Sequence, residues 1–169
     1  LRVAGRDGSK LPPGKVGEIW VRGSNILTRY WNNDAASHDS IRDGWFHTGD
    51  MARIDDRGLY WFADRLKHVI ISGGENIYPA ELERVLREMK GLAEFAVVGR
   101  DDDRWGQVPV VVAVRADDTV TGQSVLAHFD GRLARFKRPK DVVFVAALPR
   151  NALGKVVTED VRALLPSPS

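Results

Sequence analysis

Residues 64–89 read Asp-Arg-Leu-Lys-His-Val-Ile-Ile-Ser-Gly-Gly-Glu-Asn-Ile-Tyr-Pro-Ala-Glu-Leu-Glu-Arg-Val-Leu-Arg-Glu-Met, and this stretch decides the fold of the second half of the chain. The β-branched run Val69-Ile70-Ile71 predicts a short strand that leads into the turn Ser72-Gly73-Gly74. Pro79 suits the first position of a helix. Apolar residues then recur at helical spacing, which predicts an amphipathic helix that ends near Gly91: Leu82, Val85, Leu86 and Met89.

Further along the chain, strands and helices alternate. The apolar runs 95–98, 108–114 and 142–145 predict buried strands. Residues 124–134 and 158–165 have helical patterns. Residues 64–169 are therefore expected to form a domain with a mixed sheet flanked by helices.

The first part of the chain has the pattern of β structure. Residues 17–23 alternate apolar and polar side chains between two glycines, which is typical of a strand. Residues 51–54 and 59–62 flank Asp55-Asp56-Arg57-Gly58, which predicts a hairpin. Residues 1–63 are expected to be a small β-rich subdomain, so the predicted class of the whole chain is α+β, with a mixed α/β second part.

Composition excludes several classes of protein. The chain has 169 residues, 43% of them hydrophobic, and a net charge of only +2, so no basic arm for nucleic acid is expected. It has no cysteine, which excludes a disulfide framework, a thiolate metal site and a cysteine nucleophile, and fits a cytoplasmic protein. The longest apolar run, Val108–Val114, is far below the ~20 residues that span a bilayer, so no transmembrane segment is expected.

The segment Gly-Trp-Phe-His-Thr-Gly-Asp at residues 44–50 is the first candidate site. One interpretation is a hairpin turn in which Asp50 caps a backbone N–H. The other is that Asp50 accepts both hydroxyls of a ribose, because Gly49 lets a ligand approach the backbone. His47 is interpreted as a structural aromatic residue, since nothing nearby in the sequence would orient it as a base.

Two glycine-bearing segments are further candidates. Gly73 and Gly74 form either a plain turn or the wall of a narrow passage. No Gly-Lys-Ser/Thr follows them, so they are not a phosphate-cradling loop. Lys155 follows Gly154 in a turn-like segment, and is either an exposed loop lysine or a cation that a mobile loop delivers to a developing negative charge.

The order and spacing of these motifs resemble the adenylate-forming superfamily, which contains acyl-CoA synthetases, the adenylation domains of peptide synthetases and beetle luciferases. Gly17-Glu18 and the segments 44–50, 64–83 and 149–155 carry the resemblance, which extends from about Gly17 to Arg162. The form Gly-Glu-Asn-Ile-Tyr-Pro at residues 74–79 is most similar to fatty or aryl acyl-CoA ligases.

The resemblance implies an AMP-forming acyl-CoA synthetase, an acid–thiol ligase of fatty acid metabolism. In such enzymes a carboxylate attacks the α-phosphate of Mg-bound ATP to give an acyl-adenylate and pyrophosphate, and the thiol of CoA then displaces AMP. By motif match, Asp50 and Arg65 would bind the ribose of ATP, and Lys155 would be the catalytic lysine of the first half-reaction. Its ammonium would offset the charge that develops between the carboxylate and the α-phosphate.

The same match assigns residues to the second half-reaction. Lys67 would be the hinge about which the C-terminal domain rotates, and Gly73 and Gly74 would line the CoA tunnel. Luciferase-like members carry a second lysine at the position of Ile71, so its absence argues against their oxidative chemistry. The basic stretch 132–140 either meets the CoA phosphates or is a solvated face.

The phosphate loop and acyl pocket of the family have no counterpart in this sequence, and no metal site is expected in it. We therefore expect residues 1–63 to be the last β subdomain of the AMP-binding N-terminal domain, and residues 64–169 to be the mobile C-terminal domain. The chain alone would be inactive, and a homo-oligomer is one possible assembly of the whole enzyme. An adenylation domain that loads a carrier protein, and a non-catalytic module of the same fold, are the alternatives.

Overall fold

The computed structural model describes residues 1–166 and forms two compact units. The first unit is Leu1–Lys67, and the second begins at His68. The boundary expected after residue 63 falls inside a strand, Tyr60–Arg65, so Arg65 belongs to the first unit. None of the helices in the described part of the chain is both long enough and apolar enough to cross a membrane.

The first unit is built on a five-stranded antiparallel sheet. Its strands lie in the order β1-β2-β4-β3, and β5 also pairs with β4. Gly17 lets β1 approach β2, because a Cβ atom there would lie 2.3 Å from the carbonyl oxygen of Ala4. The strands are β1 (Arg2–Ala4), β2 (Val16–Val21), β3 (Ile41–Arg42), β4 (Trp45–Ile54) and β5 (Tyr60–Arg65).

One helix of the first unit, α1 (Asp34–Ser40), was not expected. The Asn33 side chain accepts the backbone N–H of Ala36 and so caps its first turn. None of its residues is buried. A helix without an apolar stripe gives no periodic signal, which is why the sequence pattern did not predict it.

The hairpin between β4 and β5 lies where the sequence predicts it. Asp55 closes the turn by accepting the backbone N–H groups of Arg57 and Leu59, and its second carboxylate oxygen accepts the indole N–H of Trp61 at 2.8 Å. These hydrogen bonds, led by that from Trp61, lower the pKa of Asp55 below its ordinary value of 3.8.

The second unit is a mixed sheet. Its strand order is β10-β9-β6-β7, with β8 on the other edge of β9; only β10 runs parallel to β9, and the remaining pairs are antiparallel. The sequence had not predicted β7, and β8 and β9 extend beyond the apolar runs that predicted them. The strands are β6 (Ile70–Ser72), β7 (Glu75–Ile77), β8 (Leu92–Asp102), β9 (Gly106–Arg115) and β10 (Asp141–Phe144).

Three helices flank this sheet: α2 (Pro79–Leu86), α3 (Gly122–Ala127) and α4 (Thr158–Ala163). Val111 and Ala113 of β9 pack in a core cluster with buried residues of α2 and α3, whereas Val112 packs in a second cluster with Val161 of α4. Both faces of β9 are therefore covered, which explains its continuous apolar sequence. The mixed α+β class is confirmed, although α3 ends at Ala127, well short of the predicted helix 124–134. The N–H groups of Phe129 and Asp130 bond to carbonyls three residues back, as in turns, and Gly131 has φ +73°.

Candidate functional site

Asp50 lies on a β-bulge rather than in a hairpin turn. Trp20 of β2 pairs with His47 and Glu18 with Met51, so residues 48–50 oppose a single residue of the neighbouring strand. Gly49 has φ +69°, which glycine adopts at little cost. A bulge of this kind turns a side chain away from the regular strand direction. The hairpin-turn interpretation of the 44–50 segment is wrong at Asp50.

Glu18 holds this bulge. One carboxylate oxygen accepts the backbone N–H of Gly49 at 2.9 Å, and the other accepts the indole N–H of Trp20 at 2.8 Å. The second oxygen also lies 3.3 Å from Nδ1 of His47, whose ring packs against Trp20 with centroids 4.0 Å apart. Two side chains therefore lie close enough to orient His47, contrary to the sequence interpretation: Glu18, which is distant in sequence and adjacent in the sheet, and Arg42, whose Nη2 lies 3.2 Å from the same Nδ1.

The hydroxyl of Thr48 completes the bulge. It donates to the carbonyl of Ile19 at 2.8 Å and accepts the backbone N–H of Asp50 at 3.0 Å. The backbone N–H groups of Gly49 and Asp50 thus both have side-chain acceptors, on β2 and within β4. The backbone that carries the Asp50 carboxylate is held in place before any ligand arrives.

Asp50 and Arg65 lie side by side in the first unit. They are register partners on β4 and β5, and Nε of Arg65 is 2.8 Å from Oδ1 of Asp50. The two groups form an ion pair, but the N–H of Arg65 is not aligned for a hydrogen bond to Oδ1. Within residues 1–166 this buried Oδ1 has no hydrogen-bond donor. The Asp50 side chain is 30% exposed, which leaves Oδ2 as the oxygen available to a ligand. The arrangement presents a carboxylate acceptor beside a guanidinium.

Lys67 ends the first unit. It lies in the 3₁₀ turn Leu66–His68, and the boundary between the units follows it. Its role as a hinge stays a prediction.

Gly73 and Gly74 form the two-residue turn between β6 and β7, with φ +57° and +84°. Positive φ at both positions is the requirement of a tight hairpin turn. Gly73 donates its N–H to the carbonyl of Trp105 at 2.8 Å, and a Cβ atom at Gly73 would lie 2.9 Å from the indole ring. A Cβ atom at Gly74 would meet no other atom within 4 Å. One glycine is thus needed for packing, and the other borders open space.

Lys155 lies at the end of a small hairpin in the second unit. Arg150 and Val156 form an isolated β-bridge, and the side chain of Asn151 accepts the backbone N–H of Lys155 at 3.0 Å. Gly154 has φ +76°. The Lys155 side chain is exposed, and its ammonium has no ion pair with any residue from 1 to 166. The backbone of Lys155 is therefore held by hydrogen bonds, while its ammonium is not engaged in an ion pair with any of residues 1–166.

Most of the basic stretch 132–140 is already paired with acids. Arg132 contacts Glu88 at 3.0 Å. Lys137 contacts both oxygens of Glu81. Arg138 pairs with Asp130. These ion pairs favour the interpretation as a solvated, structurally engaged face.

Metal-ligating side chains do not gather anywhere in the described chain: among residues 1–166 no group of three or more His, Asp or Glu is placed to hold an ion. The candidate residues are divided between the units: Asp50 and Arg65 lie in the first, and Gly73, Gly74 and Lys155 lie in the second.

Comparison with known proteins finds a matching domain model and similar proteins. The AMP-binding enzyme C-terminal domain matches residues 81–155. The chain is 52% identical, over 98% of its length and 32% of the relative's, to an indoleacetate–CoA ligase of Aromatoleum aromaticum. It superimposes with a TM-score of 0.87 on ATP-bound MatB from Rhodopseudomonas palustris, at 39% identity, over 96% of this chain and 33% of that one.

A second solved structure gives the same result. The o-succinylbenzoate CoA synthetase MenE of Bacillus subtilis, in complex with its acyl-adenylate intermediate, matches with a TM-score of 0.86 at 36% identity, over 99% of this chain and 34% of that one. The chain spans about a third of the length of the relatives that it matches. Residues 81–155 therefore match the AMP-binding enzyme C-terminal domain, and the chain as a whole is similar in sequence and in fold to part of several CoA ligases and synthetases.

Proposed function

We propose that this chain is part of an ATP-dependent acyl-CoA synthetase that converts a fatty or aryl carboxylic acid to its CoA thioester through an acyl-adenylate. The observation that carries the proposal is the Asp50–Arg65 pair on the held bulge. Oδ2 of Asp50 would accept ribose hydroxyls of ATP, while the ion pair with Arg65 orients the carboxylate. The site belongs to the first half-reaction.

Lys155 would supply the positive charge of that half-reaction. Its ammonium is uncommitted, so it can bridge a substrate carboxylate and the α-phosphate without first breaking an ion pair. A protonated point charge on a flexible stem suits this task. Mg²⁺ would be bound with ATP by parts of the enzyme outside this chain.

The second half-reaction would use the boundary between the units. Lys67 would act as the hinge, a role supported by its place at the end of the first unit. The open side of Gly74 would border the route of the CoA thiol, and Gly73 would keep the turn packed against Trp105. We place the whole enzyme in the cytoplasm; a homo-oligomer is compatible with the proposal.

Pyrophosphate exchange tests the function directly. The longer protein that carries this chain is incubated with ATP, labelled pyrophosphate and a panel of fatty, aryl and arylacetic acids. Exchange that depends on one class of acid supports the proposal, and Lys155→Ala is expected to lower it on the order of 10²–10³-fold. Lys90→Ala, which removes another exposed lysine of the second unit, is the matched control. A folded protein that exchanges with none of the acids would instead support a non-catalytic module.

A further inference from the structure

The hairpin that carries Lys155 is tied to strand β8 by one side chain. Arg150 donates from one guanidinium nitrogen to the carbonyl of Gly154 at 2.6 Å, and from the other to a carboxylate oxygen of Glu94 at 2.6 Å. Glu94 lies on β8 beside a register shift of the ladder with β9. The guanidinium therefore links the sheet to the residue directly before Lys155.

Both sides of the peptide bond that leads into Lys155 are held. Its carbonyl, from Gly154, accepts the Arg150 guanidinium, and its N–H, from Lys155, donates to Asn151 at 3.0 Å. A peptide unit is planar, so fixing its oxygen and its nitrogen fixes the plane and the position of the Lys155 Cα atom. The Lys155 carbonyl accepts the backbone N–H of Asn151 at 2.9 Å, which restrains rotation about the N–Cα bond and so the direction in which the side chain leaves the backbone. The glycine at residue 154 would otherwise make this part of the hairpin mobile.

We propose that Arg150, oriented by Glu94, is a positioning residue that aims the Lys155 ammonium. The effect of Arg150 on catalysis rests on the proposed function, whereas its effect on the backbone at Lys155 concerns this chain alone. Arg150 and Glu94 are 44% and 38% exposed, and ion pairs this exposed contribute little to stability. A rigid two-pronged donor is needed because it reaches a carbonyl and a carboxylate together, which a lysine ammonium does poorly.

Backbone dynamics of the 169-residue chain test the effect on the backbone. In the unaltered chain we expect a ¹⁵N order parameter near ~0.85 for the Lys155 amide, the range of rigid backbone, and in Arg150→Ala a value below ~0.6. Glu94→Gln keeps the bond to Gly154 and should give an intermediate value. Arg100→Ala removes a different ion pair of β8, that with Asp141, and should leave the Lys155 amide unchanged. An unchanged order parameter in Arg150→Ala overturns the proposal.

Kinetics of the longer protein test the effect on catalysis. Because a misplacement of ~1 Å can cost about 10²-fold, Arg150→Ala is expected to lower kcat for adenylation by about 10–10²-fold, with little change in KM for ATP. Arg150→Lys should recover only part of the loss. Thioester formation from supplied acyl-adenylate should be unaffected, which a general loss of folding would not allow.

The outcomes separate the two proposals. If the unaltered longer protein shows no pyrophosphate exchange, the proposed function fails and the order parameters still decide whether Arg150 fixes the hairpin. If exchange is present and Arg150→Ala leaves its rate unchanged, the positioning role fails while the proposed function stands.

Discussion

Replacing Glu18 with alanine removes the carboxylate that holds the bulge around Asp50. In the folded chain this carboxylate accepts the N–H of Gly49 at 2.9 Å and the indole N–H of Trp20 at 2.8 Å. The Glu18 side chain is only 14% exposed, so water cannot freely replace it. Alanine leaves two partly buried donors without their acceptor.

The loss is large for one side chain. A hydrogen bond to a charged group contributes about 1.5–3 kcal/mol, and an unsatisfied buried donor costs about 1–3 kcal/mol. The lost hydrogen bond and the unsatisfied donor are two ways to count the same change, so the two figures are not added. We expect Glu18→Ala to lower the free energy of unfolding of the first unit by about 3 kcal/mol. Glu18→Gln keeps one carbonyl acceptor but turns an amide NH₂ toward a donor, and should cost about 1–2 kcal/mol.

Urea unfolding followed by tryptophan fluorescence measures this change. Trp20, Trp31, Trp45 and Trp61 all lie in the first unit, and only Trp105 lies in the second, so the signal reports mainly on the first. Asp56→Ala is the matched control, because it removes an exposed carboxylate from the same unit. Equal transitions for Glu18→Ala and Asp56→Ala would refute the assignment of Glu18 as the residue that holds the bulge.

Three other changes have defined outcomes. Gly73→Ala should lower the free energy of unfolding of the second unit by about 2–3 kcal/mol in urea titrations, because the new Cβ atom would lie 2.9 Å from an indole ring and alanine would have to adopt φ +57°. Gly74→Ala has only the cost of positive φ, about 1–2 kcal/mol. Equal losses for the two variants would contradict the packing argument. The pKa of Asp55, followed by NMR, should lie below 3.8 and rise in Trp61→Phe. Because the pKa is lower in the folded chain, the stability that Asp55 contributes is present above its unfolded pKa and is lost as the pH falls through its folded pKa. An unchanged pKa in Trp61→Phe would contradict the assignment of Trp61 as the main cause. In the longer protein, Lys67→Pro should block thioester formation and spare adenylation, because proline fixes φ; normal CoA-thioester formation would remove Lys67 from the hinge role.

Local patterns predicted much of the second unit. The spacing of Leu82 and Leu86 places both on the buried face of α2, and both are fully buried. The strand at Val108–Val114 and the turn at Gly73-Gly74 were also predicted correctly. Each of these signals depends on residues a few positions apart, where side-chain periodicity and allowed φ values act directly. The weakly periodic helix α1 gave no such signal.

The contacts that hold the candidate site residues join side chains that are far apart in the sequence. Glu18 meets Gly49 across 31 positions, and Arg150 meets Glu94 across 56. The side-by-side placement of Asp50 and Arg65 depends on the register of β4 against β5, which shifts at a bulge between Met51 and Ala52. A shift of one residue would turn either side chain to the opposite face of the sheet.

The sequence by itself therefore determined the α+β class, the order of most strands and helices, and the identities of the candidate residues Asp50, Arg65 and Lys155. Only the tertiary structure decided how they are held: Asp50 on a bulge fixed by Glu18, and Lys155 on a hairpin tied by Arg150 to β8. The physical reason is that secondary structure follows from interactions between near neighbours along the chain. Hydrogen bonds between distant residues form only once strand register has brought the two segments together.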